Sequence, residues 1–352
     1  KKQTLRAVHW EAEKPSVHYF DSEWKNRMGK ISKDFPGQRV EMVSYDNART
    51  KGIVRAESDI NPGKFYLYDF DSEKLKEIAN PYHWINPEQM SVMKPISYKS
   101  RDGLTIHGYL TLPLGVEAKN LPLIINPHGG PWHRDTWFYN PEVQFLTNRG
   151  YGVLQINFRG STGYGRKFWE AGFKEWGKKM QDDITDGVHW LIEQGIADPS
   201  KIGIYGASYG GYATLAGITF TPDLYAAAVD YVGVSNLFTF YKTIPPYWKS
   251  YMDSMMEMVG DPVKDSLLMA EASPALHADK IKTPLFIAQG ANDPRVNKAE
   301  SDQMVEAMKK RGVEVEYMVK EDEGHGFYNQ ENQYDFYRAM ERFFRKHLME
   351  RK

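Results

Sequence analysis

Gly206-Ala207-Ser208-Tyr209-Gly210, followed by Gly211, has the spacing that turns a serine hydroxyl into a nucleophile. A hydroxyl is a weak nucleophile and must stand exposed where a base can reach it. A tight turn between a strand and a helix does that, with glycines allowing close backbone packing on both sides. Ile202-Gly203-Ile204-Tyr205 before the motif reads as the strand, and the Ala- and Leu-rich stretch after it as the helix. A base and an orienting carboxylate are then needed. Asp293 follows the strand-like run Leu285–Gln289, where a loop can present a carboxylate, although an Asp before proline is also a common turn residue. His325, flanked by Gly324 and Gly326, follows the run Val313–Val319 and supplies the base. The order Ser208, Asp293, His325 is the one expected when a serine sits on such a turn. The chemistry is acyl transfer to serine.

A tetrahedral intermediate needs hydrogen-bond donors aimed at its oxyanion. The N–H of Tyr209 is one, and the loop Asn126-Pro127-His128-Gly129-Gly130-Pro131-Trp132 supplies the other, assigned to Gly130 with Gly129 also possible. His128 reads as a residue that fixes this loop, not as a second base. Arg295, two residues past Asp293, fits either a substrate contact or an ion pair that steadies its loop. Trp132, Phe238, Tyr241 and Trp248 are candidates to line an apolar acyl pocket, and each fits equally well as core. The stretch Asn157–Gly165 lacks the spacing of a nucleotide loop and reads as a structural loop beside the site. No spacing of His, Asp and Glu matches a metal-ligand set, and neither metal nor cofactor is expected.

The elements that position these residues change character near residue 90. Before it, short runs such as Arg39–Tyr45, Gly52–Ala56 and Lys64–Phe70 alternate with turn residues and read as antiparallel strands, with no helix of convincing length. After it, strands at Leu104–Leu112, Leu121–Asn126, Tyr151–Phe158, Lys201–Tyr205 and Ala226–Tyr231 alternate with helices at Gln181–Gln194, Ser208–Ile218, Lys298–Arg311 and Asn332–His347. That alternation predicts an α/β fold with a mostly parallel, doubly wound sheet. The aromatic- and Met-rich segment Gly233–Ala278 interrupts it and reads as helix and loop over the carboxyl edge of the sheet. Two domains are expected, 1–90 and 91–352.

The chain of 352 residues carries a net charge of -1, which gives no electrostatic reason to expect nucleic acid or an anionic membrane as partner. It has no cysteine, so disulfides and thiolate chemistry are excluded. No apolar run reaches membrane-spanning length. Lys1, Lys2 and Gln3 open the chain without an apolar leader, and the start reads as a cut or processed end. The compartment stays open, with the cytoplasm favoured.

From Arg101 to the C-terminus the sequence resembles the prolyl oligopeptidase family, on its acylaminoacyl-peptidase and dipeptidyl-aminopeptidase-like side. The resemblance is carried by Arg101-Asp102-Gly103, His128-Gly129-Gly130-Pro131, Asn157-x-Arg159-Gly160-Ser161-x-Gly163-Tyr164-Gly165, Gly206–Gly211, Asn292-Asp293-x-Arg295-Val296 and Glu323-Gly324-His325-Gly326-Phe327. It implies an α/β-hydrolase catalytic domain acting on peptide or acyl-peptide bonds, with Arg295 on a substrate carbonyl. The alternative is a carboxylesterase acting on short esters; a catalytically dead binding module is the reading the intact motifs oppose. The family's propeller is represented here by one blade, at most two, in residues 1–90. Two expectations follow: an open site that accepts small acyl esters, and a homo-oligomer joined through the unpaired strand edges of that segment.

Overall fold

The structure, a computed structural model, describes residues 5–350. The chain opens with an antiparallel hairpin, β1 (Ala7–Glu11) and β2 (Pro15–Tyr19). Helix α1 (Ser22–Ser32) comes next, against the expectation of no helix before residue 90. The Asp21 carboxylate caps it by accepting from Trp24 N–H at 3.0 Å. Trp24, Met28 and Ile31 recur at helical spacing, and this signal was present before residue 90 but sparse among polar neighbours. Strands β3 (Arg39–Tyr45), β4 (Lys51–Glu57), β5 (Lys64–Asp69) and β6 (Leu75–Ala79) form a four-stranded antiparallel sheet in that order. Met28, Ile31 and Phe35 close a small core with Val54, Ala56 and Tyr68 of this sheet.

The larger sheet has eight strands. Its members are β7 (Met93–Lys99), β8 (Thr105–Thr111), β9 (Leu121–Pro127), β10 (Gly152–Asn157), β11 (Ala197–Ala207), β12 (Ala227–Tyr231), β13 (Leu285–Gly290) and β14 (Val315–Lys320). They lie in the order β14-β13-β12-β11-β9-β10-β8-β7. The pairs linking β10, β9, β11, β12, β13 and β14 are all parallel. Every residue of β10 and β13 is buried, as expected of strands covered on both faces. The helices are α2 (Pro141–Asn148), α3 (Arg166–Glu170), α4 (Lys179–Glu193), α5 (Tyr209–Phe220), α6 (Leu237–Lys242), α7 (Met252–Met258), α8 (Ser266–Glu271), α9 (Lys298–Lys309) and α10 (Gln330–Phe344). Helix α5 is apolar on all sides and buried from Tyr209 to Thr219, so it lies inside the domain and not on its surface.

The chain forms two compact units, neither contiguous in sequence. One takes the chain up to Pro95 with Leu110–Val116 and Thr136–Gly150; the other takes Ile96–Tyr109, Glu117–Asp135 and the chain from Tyr151 onward. The elements that bear the predicted chemistry all belong to the second. No helix among the described residues is long and apolar enough to cross a membrane.

Candidate active site

Ser208 stands between β11 and α5 with φ 59° and ψ -117°, a left-handed conformation unusual for a side-chain-bearing residue. The glycines around it are required by space. A Cβ on Gly206 would lie 2.4 Å from the Gly210 carbonyl oxygen, and one on Gly210 would lie 2.2 Å from that of Pro127. The turn is tied down by Ser208 N–H donating to the Tyr231 carbonyl at 2.9 Å.

The three residues predicted to act together do meet. His325 Nε2 lies 3.0 Å from Ser208 Oγ, and His325 Nδ1 lies 2.7 Å from Asp293 Oδ2. The Asp293 side chain is fully buried. Its Oδ1 accepts from Arg295 N–H at 2.8 Å and Val296 N–H at 2.9 Å, so the turn after β13 folds around the carboxylate. Because Nδ1 faces a carboxylate, it carries the ring hydrogen, which leaves the Nε2 lone pair for the serine. Asp293 leaves the sheet at β13, and His325 leaves it just past β14. Both therefore gather with Ser208 outside the carboxyl ends of the strands, where open α/β sheets place their ligands.

Two residues to which the sequence motifs assign no role support these loops. Buried Glu323 accepts from the N–H groups of Tyr328 and Asn329, both at 2.9 Å, and from Asn332 Nδ2 at 2.8 Å, holding the His325 loop to the start of α10. Gln289, at the end of β13, donates to the Val296 carbonyl at 3.2 Å and accepts from Ser301 Oγ at 2.9 Å. Glu323 lies two residues before His325, and that adjacency was the available signal; nothing in the sequence marks Gln289.

The His128 ring is buried. Its Nδ1 donates to the Gly129 carbonyl at 2.7 Å, its Nε2 lies 2.8 Å from Ser161 Oγ, and the ring stacks on Phe158 at 4.3 Å. Both nitrogens are engaged in holding the loop. Burial pushes this imidazole down to about 4, so it is neutral near neutrality. Gly129 lies against the nucleophile turn: a Cβ there would sit 3.2 Å from the Ala207 carbonyl and 3.7 Å from Ser208 Cβ. Gly130 and Tyr209 both border a cavity of about 310 Å³ that opens on Ser208.

The other walls of that cavity are mostly apolar. Trp132 and Trp248 line it, with Trp176, Val234, Phe240 and Met255 among their partners. Phe238 and Tyr241 do not line it. Tyr241 is buried with its hydroxyl on the Met255 carbonyl at 2.9 Å, which makes it a packing residue. Phe238 sits off the face of α6 that carries Phe240, the residue that borders the cavity. The exposed Arg295 guanidinium has no hydrogen bond or ion pair among the described residues, so the loop-steadying ion pair is not formed. No group of metal-ligating side chains is present among the described residues.

A serine, an imidazole and a buried carboxylate in this chain order, over a mostly parallel sheet, define the α/β-hydrolase class. A family model described as the prolyl oligopeptidase family matches residues 136–351. The chain is 42% identical over 345 residues to dipeptidyl aminopeptidase BIII of Pseudoxanthomonas mexicana, covering 93% of this chain and 50% of that one. It is 35% identical over 370 residues to dipeptidyl peptidase family member 6 of Caenorhabditis elegans, covering 98% and 50%. An acylaminoacyl peptidase solved in complex with Z-Gly-Gly-Phe-chloromethyl ketone superimposes with a TM-score of 0.75 at 25% identity, covering 87% of this chain and 49% of that one. This chain belongs to the prolyl oligopeptidase family, a family of serine peptidases. It spans about half the length of the two curated relatives.

Proposed function

We propose that this chain hydrolyses peptide or N-acyl-peptide bonds through an acyl-enzyme on Ser208. One observation carries the proposal: the unbroken hydrogen-bonded line from Asp293 Oδ2 through His325 to Ser208 Oγ, at 2.7 and 3.0 Å. In the first half-reaction Ser208 Oγ bonds to the scissile carbonyl carbon while its proton passes to His325 Nε2. The N–H groups of Tyr209 and Gly130 hold the oxyanion. The tetrahedral species collapses, Nε2 gives its proton to the departing amine, and an ester to Ser208 remains. Water then adds to that ester with its proton going to Nε2. Collapse returns the proton to Oγ and releases the acid. Asp293 holds the ring and offsets the charge of the imidazolium without taking the proton.

The cavity beside Ser208 is apolar and roomy enough for a large side chain, which supports an aromatic or long aliphatic residue before the scissile bond. The ligand of the similar acylaminoacyl peptidase carries Phe at that end. The unpaired Arg295 guanidinium is available to a substrate carbonyl. The names of the relatives favour peptides over simple esters as substrates.

The test pairs substrates and variants. Acyl-Phe and dipeptidyl anilides are compared with p-nitrophenyl acetate and butyrate, using wild type and Ser208→Ala. Anilide hydrolysis abolished by the substitution is expected. Anilide hydrolysis that persists in Ser208→Ala rejects the nucleophile; hydrolysis of esters alone by the wild type rejects the peptidase.

A further inference from the structure

Asp230 is a buried carboxyl that the proposed reaction does not use. It lies on β12, paired with Gly206 of β11 on one side and Ile287 of β13 on the other. The side chain is wholly buried, and neither carboxyl oxygen has a hydrogen-bond partner among the described residues. The Gly233 N–H faces it without ordinary hydrogen-bond geometry. Such a group is costly to bury, and more so if charged.

Its neighbours show what it does there. A Cβ on Gly211 would lie 2.3 Å from Asp230 Oδ1, and one on Gly233 would lie 2.1 Å away. The carboxyl therefore fills the space between the first turn of α5 and the backbone turn at 231–234. That turn reaches the Ser208 turn, the loop after His325, strand β13 and the cavity. The Tyr231 carbonyl accepts from Ser208 N–H at 2.9 Å, and the Tyr231 hydroxyl accepts from Phe327 N–H, two residues past His325. Val232 N–H donates to the Ala288 carbonyl at 2.9 Å, and Val234 lines the cavity. Val232 has φ 50°, a strained value for a β-branched residue that persists only where its surroundings hold it.

We propose that the neutral Asp230 carboxyl is a positioning residue that clamps the Ser208 turn to the 231–234 turn, and that its ionisation loosens the clamp. The proposal rests on Ser208 being the nucleophile. The groups facing Asp230 oppose ionisation. Glu300 of α9 is buried nearby, which raises its own carboxyl above the usual range although it accepts from Ser235 N–H at 2.9 Å and Asn236 N–H at 2.8 Å. Tyr317 of β14 is the other titratable neighbour. From β11, β13 and α5 the faces are Gly206, Ile287 and Gly211, with no cation among them. Burial, reinforced by Glu300, pushes Asp230 up to about 7. An unfolded Asp ionises near about 4. Between these values the folded chain keeps a proton that the unfolded chain has lost. Stability therefore falls as pH rises through this window, and the full cost is present above it.

The experiment uses Asp230→Asn, a neutral near-isostere, with Asp230→Ala as the variant that empties the space. Melting temperatures are measured at pH 5 and pH 8.5, and kcat and KM on an acyl-Phe anilide at pH 6 and pH 8.5. Asp230→Asn should melt above wild type, by a margin that widens from pH 5 to pH 8.5. Its ratio of kcat at pH 8.5 to kcat at pH 6 should exceed that of wild type several-fold, with KM unchanged. Asp230→Ala should lower kcat at both pH values. An equal melting margin at both pH values, or equal kcat ratios, would overturn the proposal. The arms also separate the two readings. Hydrolysis that survives in Ser208→Ala removes the nucleophile, and the catalytic part of the clamp with it. A pH-independent melting margin with Ser208→Ala inactive removes the clamp alone.

Discussion

Replacing Asp293 with Asn tests the triad at the point where the structure makes the sharpest claim. The substitution preserves shape, and the amide oxygen can still accept from Arg295 and Val296 N–H, which hold Oδ1 at 2.8 and 2.9 Å. The change falls on the other arm. The amide nitrogen replaces Oδ2, 2.7 Å from His325 Nδ1. An N–H group there requires Nδ1 to accept, so the ring hydrogen moves to Nε2. Nε2 then donates toward Ser208 Oγ at 3.0 Å and no longer takes its proton. A wrong-tautomer substitution of this kind costs about 10⁴ in kcat in serine proteases, or about 5.4 kcal/mol at 1.36 kcal/mol per decade. The assay is kcat and KM on an acyl-Phe anilide near neutral pH, alongside thermal melting. The loss should fall on kcat, with melting close to wild type. Asp293→Ala is the contrast, because it leaves the buried Val296 N–H without an acceptor and should cost about 1–3 kcal/mol of stability as well. An Asp293→Asn variant that keeps kcat within tenfold of wild type would refute the tautomer argument and Asp293 as the acid.

Three further outcomes are expected. His128→Ala should free the Gly129–Gly130 loop from Ser161 and lower kcat by up to about 10²–10³, the value of one oxyanion donor, with KM little changed; steady-state kinetics decides, and a purely KM effect would contradict the assignment. Val234→Phe narrows the cavity beside Ser208, so hydrolysis after Phe should fall relative to Ala by roughly 10–200-fold in kcat/KM, the range of a changed apolar contact, read from paired anilides. The β1–β2 hairpin exposes Val8, Trp10 and Val17; self-association through this first unit is expected by light scattering at high concentration, should weaken in Trp10→Glu, and a monomer at all concentrations would reject it.

The parts of the site legible in the sequence are those where the backbone itself is constrained. Ser208 needs a left-handed turn, and Gly206 and Gly210 need to meet neighbouring carbonyls at distances no Cβ tolerates, so spacing alone marks them. Strands β10 and β13 are buried at every position and announce themselves as short apolar runs, which puts Asp293 at a strand end before any coordinate is known. Helix α1 is not legible in the sequence because its apolar stripe is only three residues wide and its stability comes from packing on the antiparallel sheet, not from propensity.

Side-chain partnership was decided by the tertiary structure. On α6 the sequence points to Phe238 and Tyr241 as pocket residues, whereas the rotation of the helix gives the cavity to Phe240 and the core to Tyr241. Glu323 and Gln289 do no chemistry that their identity would reveal; they matter because distant N–H and hydroxyl groups arrive at their oxygens. Asp230 is the extreme case. In sequence it is one polar residue in an apolar strand, and only the approach of Gly211 and Gly233 from two other segments makes it a buried carboxyl behind the Ser208 turn. Local constraints on φ, ψ and burial are written residue by residue, whereas the partner of a polar atom depends on which segments pack against it, and that is a property of the whole fold.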